Sequence, residues 1–364
     1  MVNRKTDVFI AGGGPAGLAA AIAARRKGFE VTVADGMRPP IDKACGEGLM
    51  PDGLSSLGAL GLSIPQEGSH PFRGIRFAAP GVAVDGSFPH GHGLGVRRTT
   101  LHAILVEQAE RCGVRLLWGT PVRGIDAEAT LGARWVVGAD GSRSRVRQWA
   151  GLEAASRVSH RYAFRRHYHL RPWTSCMEMW WGDGFQIYIT PVASDTVCVA
   201  LMSRDPHLRL DRALASLPDV VGRLAGAPIA SAERGAVTST RRLRAVTRGR
   251  VALIGDASGS VDAITGEGLC LAFRQAVALA DALEAGDLRL YQAEHRRLAR
   301  RPAFMADFML LLDRLPYLRG RALRVLSRNP YIFERLLAMH VGELPLPQFG
   351  ATAATLGWRL ITGS

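Results

Sequence analysis

The first forty residues alternate between apolar and glycine-rich segments in an order that predicts a strand, a helix and a second strand. Residues 7–11, which are apolar from Val8 onward, are typical of a buried parallel strand. An alanine-rich stretch from Leu18 to Lys27 predicts a helix, which ends at Gly28. Residues 30–34 predict the second strand, and Asp35 follows it directly. This βαβ order is typical of dinucleotide-binding folds.

The strand–helix pattern of the first forty residues gives way to a different pattern in the middle of the chain and reappears after it. Between residues 162 and 202 apolar and polar positions alternate, which predicts antiparallel strands of a separate sheet. A strand at 250–254 and a helix at 268–283 resume the nucleotide-fold pattern, and residues 289–339 are predicted to be helical and are basic. We therefore expect an α/β fold with an α+β substrate layer. It comprises a Rossmann-like domain, an inserted antiparallel β-sheet domain and a C-terminal helical segment.

The predicted domain bounds follow these changes of pattern. Residues 1–158 and 235–286 are expected to form a discontinuous nucleotide-binding domain, with parts of 50–97 contributing to the substrate side. Residues 159–234 are expected to form the antiparallel-sheet substrate domain, and residues 287–364 the C-terminal helical segment.

The glycine loop after the first strand has the spacing Gly12-x-Gly14-x-x-Gly17. The first glycine allows a tight turn, the second lets the backbone approach a pyrophosphate, and the third lets helix and strand pack closely. The next helix directs its free N–H groups at the phosphates. Asp35, 18 residues after Gly17, is placed to accept hydrogen bonds from a ribose. The alternative is a glycine-rich turn in another α/β fold. The cofactor contacts expected in this loop are Gly12, Gly14, Pro15, Ala16 and Gly17.

Two further positions carry polar groups at the ends of predicted elements. Asp140 and Gly141 follow a predicted strand at 135–139, and Arg98 stands at the start of a predicted helix at 99–112. The simpler interpretations are a turn after a strand for Asp140 and a surface arginine for Arg98.

A third motif follows the strand at 250–254. Gly255 and Asp256 come directly after this strand, and Gly266 and Gly268 stand where the next helix is predicted to begin. A helix N-terminus at this point can stabilise negative charge on a ligand.

These motifs, in this order, resemble the flavoprotein superfamily that contains the aromatic hydroxylases (group A flavin monooxygenases) and the geranylgeranyl reductases. The resemblance implies that FAD is the cofactor and that the discontinuous Rossmann-like domain binds it. It further implies that Asp140 and Arg98 contact FAD, and that Asp256 contacts its ribityl and pyrophosphate region. The residues of the third motif are then all expected to contact FAD: Gly255, Asp256, Gly266 and Gly268. Because the chain has no second glycine-rich dinucleotide-binding motif, we expect NAD(P)H to act as a transient electron donor.

Two features favour the geranylgeranyl reductase branch of this superfamily. Gly259 and Ala263 stand where hydroxylases usually carry His and Pro. The segment Ala44-Cys45-Gly46-Glu47-Gly48-Leu49-x-Pro51 resembles that branch's Pro-x-Cys-Gly-Gly-Gly-Leu-x-Pro, although the proline before the cysteine is missing. Cys45 is therefore the candidate catalytic residue, as a proton donor or polar contact; the alternative is a small buried residue in the flavin loop.

The candidate substrate-pocket residues are Trp181, Gln186 and Tyr188, all in the predicted antiparallel sheet. The segment from Gln186 to Pro191 is the counterpart of the reductase branch's Tyr-x-Trp-x-Phe-Pro, but it is altered, which puts a polyprenyl substrate in doubt. Aromatic residues at these positions could equally form the core of the sheet.

The leading functional hypothesis is an FAD enzyme that reduces a carbon–carbon double bond in a hydrophobic small molecule. The alternative is an FAD-dependent monooxygenase that hydroxylates an aromatic or polyketide-type substrate with NAD(P)H and O₂. A third class is a non-enzymatic flavoprotein or redox sensor, which would not turn over NAD(P)H.

The composition restricts the cellular compartment and the binding partners that we expect for this protein. The net charge is +14, but no nucleic-acid motif accompanies the arginines, so we expect no nucleic-acid partner. The arginine-rich stretch 289–335 indicates peripheral membrane contact or a helical cap on the core. No apolar run of eighteen residues or signal peptide is present, and the five cysteines form no Cys-x-x-Cys pair. We therefore expect no metal site and a cytoplasmic protein, membrane-associated, if at all, at the inner face.

Overall fold

The computed structural model describes residues 5–153 and 155–362. The strands, in chain order, are β1 Val8–Ala11, β2 Val31–Asp35, β3 Gly48–Leu49, β4 Ser69–Phe72, β5 Gly74–Ala79, β6 Val82–Ser87, β7 Gly93–Val96, β8 Arg115–Trp118, β9 Trp135–Gly138, β10 Ala155–His169, β11 Cys176–Trp181, β12 Phe185–Ala193, β13 Thr196–Ser203, β14 Arg234–Leu243, β15 Thr247–Arg248 and β16 Val251–Leu253.

The helices are α1 Pro15–Arg26, α2 Pro51–Ala59, α3 Arg98–Arg111, α4 Arg145–Trp149, α5 Leu210–Ala215, α6 Pro218–Leu224, α7 Gly268–Glu284, α8 Leu288–Arg314, α9 Pro316–Arg328, α10 Pro330–His340 and α11 Leu346–Thr362. Short 3₁₀ turns lie at Gly255–Ser258 and Ala263–Thr265.

A six-stranded sheet with the order β15-β16-β9-β1-β2-β8 forms the nucleotide-binding part of the molecule. All its pairings are parallel except β15 with β16. All four residues of β1 are buried, as expected for a central strand that is covered on both faces. Helix α1 packs against α3 and α7, and fully burying Leu18 and Ile22 contributes about 1.5–3 kcal/mol each. The predicted α/β fold is confirmed.

A seven-stranded sheet with the order β14-β10-β13-β12-β11-β5-β6 forms the substrate layer. It is antiparallel except for the parallel pair β11 and β5. Its centre comes from the region where the sequence predicts antiparallel strands. Strands β5 and β6 come from the 50–97 part that was expected on the substrate side, and β14 begins at Arg234 and continues into the predicted 235–286 segment. The domain bounds stay predictions.

A small third sheet, β3-β7-β4, joins two segments that are distant in sequence. Gly48 pairs with Gly95, so the loop that carries Cys45 lies beside the segment leading into α3. This pairing brings Glu47 to the first turn of α3, where Arg98 stands.

The C-terminal helices cover one end of the seven-stranded sheet. Helices α9 and α10 pack against β6, and a side chain at Gly86 would lie 2.6 Å from the ring of Phe333. This close approach requires glycine at residue 86. Within residues 5–153 and 155–362, none of the helices is long and apolar enough to cross a membrane.

Candidate functional site

A cavity of about 620 Å³ lies where the carboxyl ends of the parallel strands meet the seven-stranded sheet. The predicted cofactor contacts that line it are Gly12, Gly14, Pro15, Ala16, Asp35, Arg98, Asp140, Gly255, Asp256, Gly266 and Gly268. Cys45 and Tyr188 line it as well. Gly17, Trp181 and Gln186 are absent from its wall. Motifs that are more than two hundred residues apart therefore meet at one cavity.

The glycine loop has the geometry that a bound pyrophosphate needs. Gly12 has φ +115°, and a side chain at Gly17 would clash with the Gly12 carbonyl oxygen. At Gly14 an added side chain would meet no protein atom within 4 Å, so the space there is open to a ligand. No side chain caps the start of α1 at Gly14, and its first N–H groups are available to an anion.

The Asp35 carboxylate is held at the glycine loop by two backbone donors. Its Oδ2 accepts a hydrogen bond of 2.7 Å from Gly13 N–H, and its Oδ1 accepts one of 2.7 Å from Met37 N–H. Buried His102, which the sequence analysis did not select, contacts the same loop through Nε2, 2.9 Å from the Gly13 carbonyl oxygen. Burial lowers the pKa of His102, so the imidazole is neutral and donates through Nε2–H.

Asp140 belongs to a loop that a buried arginine ties to the third motif. Its Oδ2 accepts hydrogen bonds from the N–H groups of Arg145, at 2.7 Å, and Val146, at 3.1 Å. Arg147, only 1% exposed, donates to the carbonyl oxygens of Ala257, at 3.1 Å, and Ser142. Arg147 thus fixes the Asp140 loop and the third motif against each other.

The third motif presents a second helix N-terminus to the cavity. Helix α7 begins at Gly268 without a side-chain cap, and Gly266 has φ +69°. Asp256 Oδ2 accepts a hydrogen bond of 3.0 Å from Lys43 Nζ, which also lines the cavity. Two uncapped helix ends at one cavity provide positive potential for a cofactor that carries negative charge.

Behind the Cys45 loop lies a buried polar cluster. Glu47 Oε2 is 2.6 Å from His167 Nε2, and both side chains are fully buried. Cys198 completes a set of three potential metal ligands whose donor atoms lie within 4.8 Å of one another. Burial raises the pKa of the Cys198 thiol well above its usual range, and the Arg165 guanidinium lies 3.7 Å from Glu47 Oε1. A neutral thiol and an adjacent cation both disfavour a metal ion here.

The three candidate substrate residues lie on one face of the seven-stranded sheet. Trp181 is buried beneath Arg319, whose guanidinium carbon is 5.4 Å from the ring centre, and Gln186 Nε2 donates a hydrogen bond of 2.6 Å to Asp313 Oδ1. Both contact the C-terminal helices. Only Tyr188 reaches the large cavity.

A second, smaller cavity of about 30 Å³ lies on the other side of Tyr188. Its wall is formed almost entirely by apolar side chains of the sheet and of helices α8, α9 and α10, among them Met177, Met179, Met305 and Met309. Methionine side chains are flexible, so such a wall can adapt to an apolar ligand.

The FAD-binding domain family matches residues 5–305, most of the chain. The chain belongs to this FAD-binding family. The expected FAD is therefore supported by the family and by the open space at Gly14 and the two uncapped helix ends. As homologues include both reductases and monooxygenases, this FAD-binding protein is an FAD-dependent oxidoreductase.

Two reductases are similar to this FAD-binding protein over most of its length. Menaquinone reductase of Mycobacterium tuberculosis is 29% identical over 347 residues, covering 84% of this chain and 81% of the relative. Chloroplastic geranylgeranyl diphosphate reductase of Oryza sativa is 28% identical over 344 residues, covering 81% and 72%. A 6-methylpretetramide 4-monooxygenase of Streptomyces rimosus is 33% identical over 173 residues, covering 40% and 41%.

Solved structures share the fold at lower identity. A flavoprotein/dehydrogenase from Cytophaga hutchinsonii has a TM-score of 0.78 at 18% identity and covers 93% of both chains. A geranylgeranyl bacteriochlorophyll reductase-like protein from Thermoplasma acidophilum has a TM-score of 0.70 at 17% identity and covers 98% of both. The predicted resemblance to the superfamily of reductases and hydroxylases is confirmed.

Proposed function

We propose that this FAD-dependent oxidoreductase reduces a carbon–carbon double bond in a hydrophobic small molecule. The observation that carries the proposal is the apolar cavity beyond Tyr188, which meets the cofactor cavity at that side chain. An apolar substrate suits this arrangement, because its reacting end can face the flavin while its chain meets methionines and leucines. The cavity holds only about 30 Å³, so the chain enters it only when the flexible methionine side chains of its wall move aside. The two reductases that match over most of the chain give independent support.

The residues of this chain bind, orient and protect the reactants. FAD would supply hydride-transfer chemistry when bound, and the uncapped starts of α1 and α7 would hold its negative charge. The proposed FAD contacts are those expected from the sequence: Gly12, Gly14, Pro15, Ala16, Gly17, Asp35, Arg98, Asp140, Gly255, Asp256, Gly266 and Gly268. Cys45 lines the same cavity and is the proposed proton donor for the second carbon of the double bond. On the same face of the sheet, Trp181 and Gln186 are covered by the C-terminal helices, and Tyr188 is the proposed substrate contact.

NAD(P)H is the proposed electron donor, docking transiently because the chain has one glycine-rich dinucleotide motif. Stopped-flow mixing of the holoenzyme with NADH and with NADPH tests this point. Bleaching of the flavin absorbance by either nucleotide within the turnover time supports the proposal, whereas bleaching by dithionite alone contradicts it.

The same proposal includes peripheral contact with a membrane through α8, α9 and α10. Tyr317 is 76% exposed and Tyr331 66% exposed, which is unusual for large aromatic side chains. On α9, Tyr317, Arg324 and Arg328 follow at helical spacing on one face and are all exposed. Aromatic rings beside arginines suit the interface of an anionic bilayer.

Vesicle flotation tests the membrane contact. Holoenzyme is mixed with vesicles of phosphatidylglycerol and phosphatidylcholine at low salt, and the variant R324E/R328E serves as the comparison. We expect the wild type to float with anionic vesicles and the variant to stay in solution. If the wild type stays in solution, the membrane contact is contradicted, and these helices only cover the sheet.

The reaction itself is tested with reduced enzyme in the absence of oxygen. Dithionite-reduced holoenzyme, freed of excess dithionite, is mixed with menaquinone that carries a short polyprenyl chain, with geranylgeranyl diphosphate, or with digeranylgeranyl glycerophospholipid. Reoxidation of the flavin is expected for one of them, together with a product that stays heavier by two hydrogens after any quinol has been reoxidised in air and that carries these hydrogens in its polyprenyl chain, as located by fragmentation in mass spectrometry. Reduced flavin that stays stable with all three classes would contradict the proposal.

The second candidate function is a monooxygenase, favoured by the 33% identity with the Streptomyces rimosus enzyme over part of the chain. It would use NAD(P)H and O₂ to hydroxylate an aromatic or polyketide-type substrate. Aeration of the reduced enzyme with ¹⁸O₂ separates the two functions: label in the organic product supports the monooxygenase, and unlabelled product with hydrogen peroxide excludes it for the compound tested.

A further inference from the structure

Glu47 adopts a backbone conformation that is rare for a residue with a side chain. Its φ is +60°, in the left-handed region that favours glycine. The similar segment of the reductase branch has glycine at this position, which would fit without strain. Strain of this kind persists only where surrounding contacts offset it, and it often marks a functional position. Glu47 makes such contacts.

The side chain and backbone of Glu47 join the two parts of the cavity wall. Glu47 Oε1 accepts a hydrogen bond of 2.9 Å from Arg98 N–H, in the first turn of α3. Its backbone N–H lies 3.4 Å from Cys45 Sγ, and its carbonyl oxygen accepts from Val96 N–H at 3.0 Å. Arg98 and Cys45 line the large cavity, whereas Glu47 lies behind them.

His167 on β10 connects Glu47 to the seven-stranded sheet. Ser231 Oγ accepts a hydrogen bond of 3.1 Å from His167 N–H and is therefore oriented to donate to Nδ1 at 2.7 Å. In that arrangement His167 Nε2–H donates to Glu47 Oε2 at 2.6 Å. A carboxylate that accepts from a buried imidazole forms a short, directional contact.

The charges around this pair are balanced without a further ligand. Arg165 Nη2 contacts Asp42 Oδ1 at 2.7 Å, and Arg234 Nε contacts the other oxygen of Asp42 at 2.7 Å. Arg165 Nη1 also lies 3.1 Å from His167 Nδ1. Two carboxylates thus face two guanidinium groups, and Arg165 itself lines the cavity.

We propose that Glu47 is a positioning residue: with His167 it locks the Cys45 loop and the first turn of α3 to the substrate sheet, and so sets where Cys45 and Arg98 stand against FAD. The inference rests on the proposed function in one respect, namely that Cys45 and Arg98 face the cofactor. It gives this chain's glutamate a task that the glycine of the similar segment cannot perform.

Two substitutions separate the backbone strain from the contacts. E47A keeps a side chain at positive φ and removes the carboxylate, whereas E47G removes both the carboxylate and the strain. E47Q keeps an oxygen for Arg98 N–H and an amide that can bond to the other tautomer of His167. E178Q is the matched control, because Glu178 is also a fully buried carboxylate of this sheet, bonded to Trp173 and Trp180, and does not line the cavity.

The first measurements are the dissociation constant of FAD, from flavin fluorescence, and the visible circular dichroism of bound flavin. We expect E47A and E47G to bind FAD about tenfold more weakly with an altered flavin spectrum, E47Q to recover most of the affinity, and E178Q to bind as the wild type does. E47G should unfold at a temperature at least as high as E47A, because glycine relieves the strain.

The second measurement is independent of FAD. Alkylation of Cys45 by iodoacetamide in the apoprotein, followed by peptide mass spectrometry with Cys112 as the internal reference, should be about tenfold faster in E47G than in the wild type. If E47G has the FAD affinity, the flavin spectrum and the rate of Cys45 alkylation of the wild type, Glu47 only stabilises the fold. That result would contradict this inference and leave the proposed function intact. A wild type that binds no FAD would overturn the proposed function and this inference together.

Discussion

The hydroxyl of Tyr188 donates a hydrogen bond of 2.7 Å to the carbonyl oxygen of Ile264. Tyr188 lines both cavities, so this contact closes the passage between the cofactor cavity and the small apolar cavity. Burial raises the pKa of Tyr188, which keeps the hydroxyl neutral and able to donate. Tyr188 is thus one part of the wall between the two spaces and is held by a hydrogen bond to the third motif, whose residues 263–266 also line one or the other cavity.

The first prediction concerns this wall. Tyr188→Phe should lower the free energy of unfolding by about 1 kcal/mol, because the Ile264 carbonyl oxygen loses its hydroxyl donor. With the ring free to rotate, the variant should also accept bulkier apolar substrates than the wild type does. Urea unfolding and competition between substrates of different chain length measure the two effects.

Tyr291→Phe is the matched control. Tyr291 is a second fully buried tyrosine, whose hydroxyl donates to the Leu253 carbonyl oxygen at 2.8 Å, and it lines neither cavity. It should show a similar loss of stability with unchanged substrate preference. Equal shifts of preference in both variants would mean that Tyr188 does not control the passage.

The second prediction separates two glycines of one loop. Gly14→Val should fold, because residue 14 has open space around it, but should bind FAD at least about tenfold more weakly because its side chain occupies the phosphate position. Gly17→Ala should instead lower the free energy of unfolding by about 1–3 kcal/mol, since its methyl group clashes with the Gly12 carbonyl oxygen. Thermal unfolding and FAD titration distinguish them, and G14V with wild-type affinity would refute the assigned phosphate position.

The third prediction concerns Glu267, a buried carboxyl in the third motif. Among the described residues its oxygens have no hydrogen-bond partner, and His340 Nδ1 lies 3.6 Å away. Burial raises its pKa above the usual 4.5, so the folded state holds this proton more tightly than the unfolded state does. The stability gained at low pH is therefore lost as the pH rises through the raised pKa.

Glu267→Gln removes this titration. The difference in free energy of unfolding between E267Q and the wild type should grow in favour of E267Q as the pH is raised from about 4.5 towards 7. Urea unfolding at pH 4.5, 5.5 and 7 measures it. A difference that is constant with pH would contradict the prediction, because it would show that the carboxyl has the same pKa in the folded and the unfolded state.

The fourth prediction concerns His295, which lowers the stability at low pH instead of at high pH. His295 Nε2 lies 2.9 Å from Ser258 Oγ, and burial lowers the pKa of His295 from 6.5 to about 4. The unfolded state then binds a proton that the folded state does not, so stability falls as the pH is lowered from 6.5 to 4. The loss is at most about 3 kcal/mol.

His295→Gln keeps a donor for Ser258 and does not titrate. Its free energy of unfolding should fall less than that of the wild type between pH 7 and pH 5, and all other titrating groups cancel in the comparison. Parallel losses in the two proteins would place the proton on His295 in the folded state as well.

Local patterns predicted those parts of the site that depend on backbone conformation. Gly12, Gly14 and Asp256 meet at one cavity because each follows a strand of the same parallel sheet, and strand and turn signals are local. Alternation along β12 likewise predicts that Gln186 and Tyr188 share a face. Which of these two residues reaches the large cavity was not predictable from the sequence, because this depends on Asp313 of α8, which binds Gln186.

The Glu47–His167 pair could not be predicted for the same reason. The two residues are 120 positions apart, and nothing in either local segment names the other. The one feature of the sequence that could have indicated this pair was Glu47 itself. It is a charged residue between two glycines, at a position where the similar segment of the reductase branch has glycine. A charge in such a place predicts a buried partner, although not its identity.

The order of the six-stranded sheet has a consequence for the synthesis of the protein. Strand β9 ends at Gly138, but its neighbour β16 begins only at Val251. During translation β1, β2 and β9 emerge long before β16, and for that interval the outer edge of β9 offers unpaired N–H and C=O groups to any other nascent strand. A gene truncated after residue 150 would therefore yield a fragment in which this edge of β9 has no β16 to pair with.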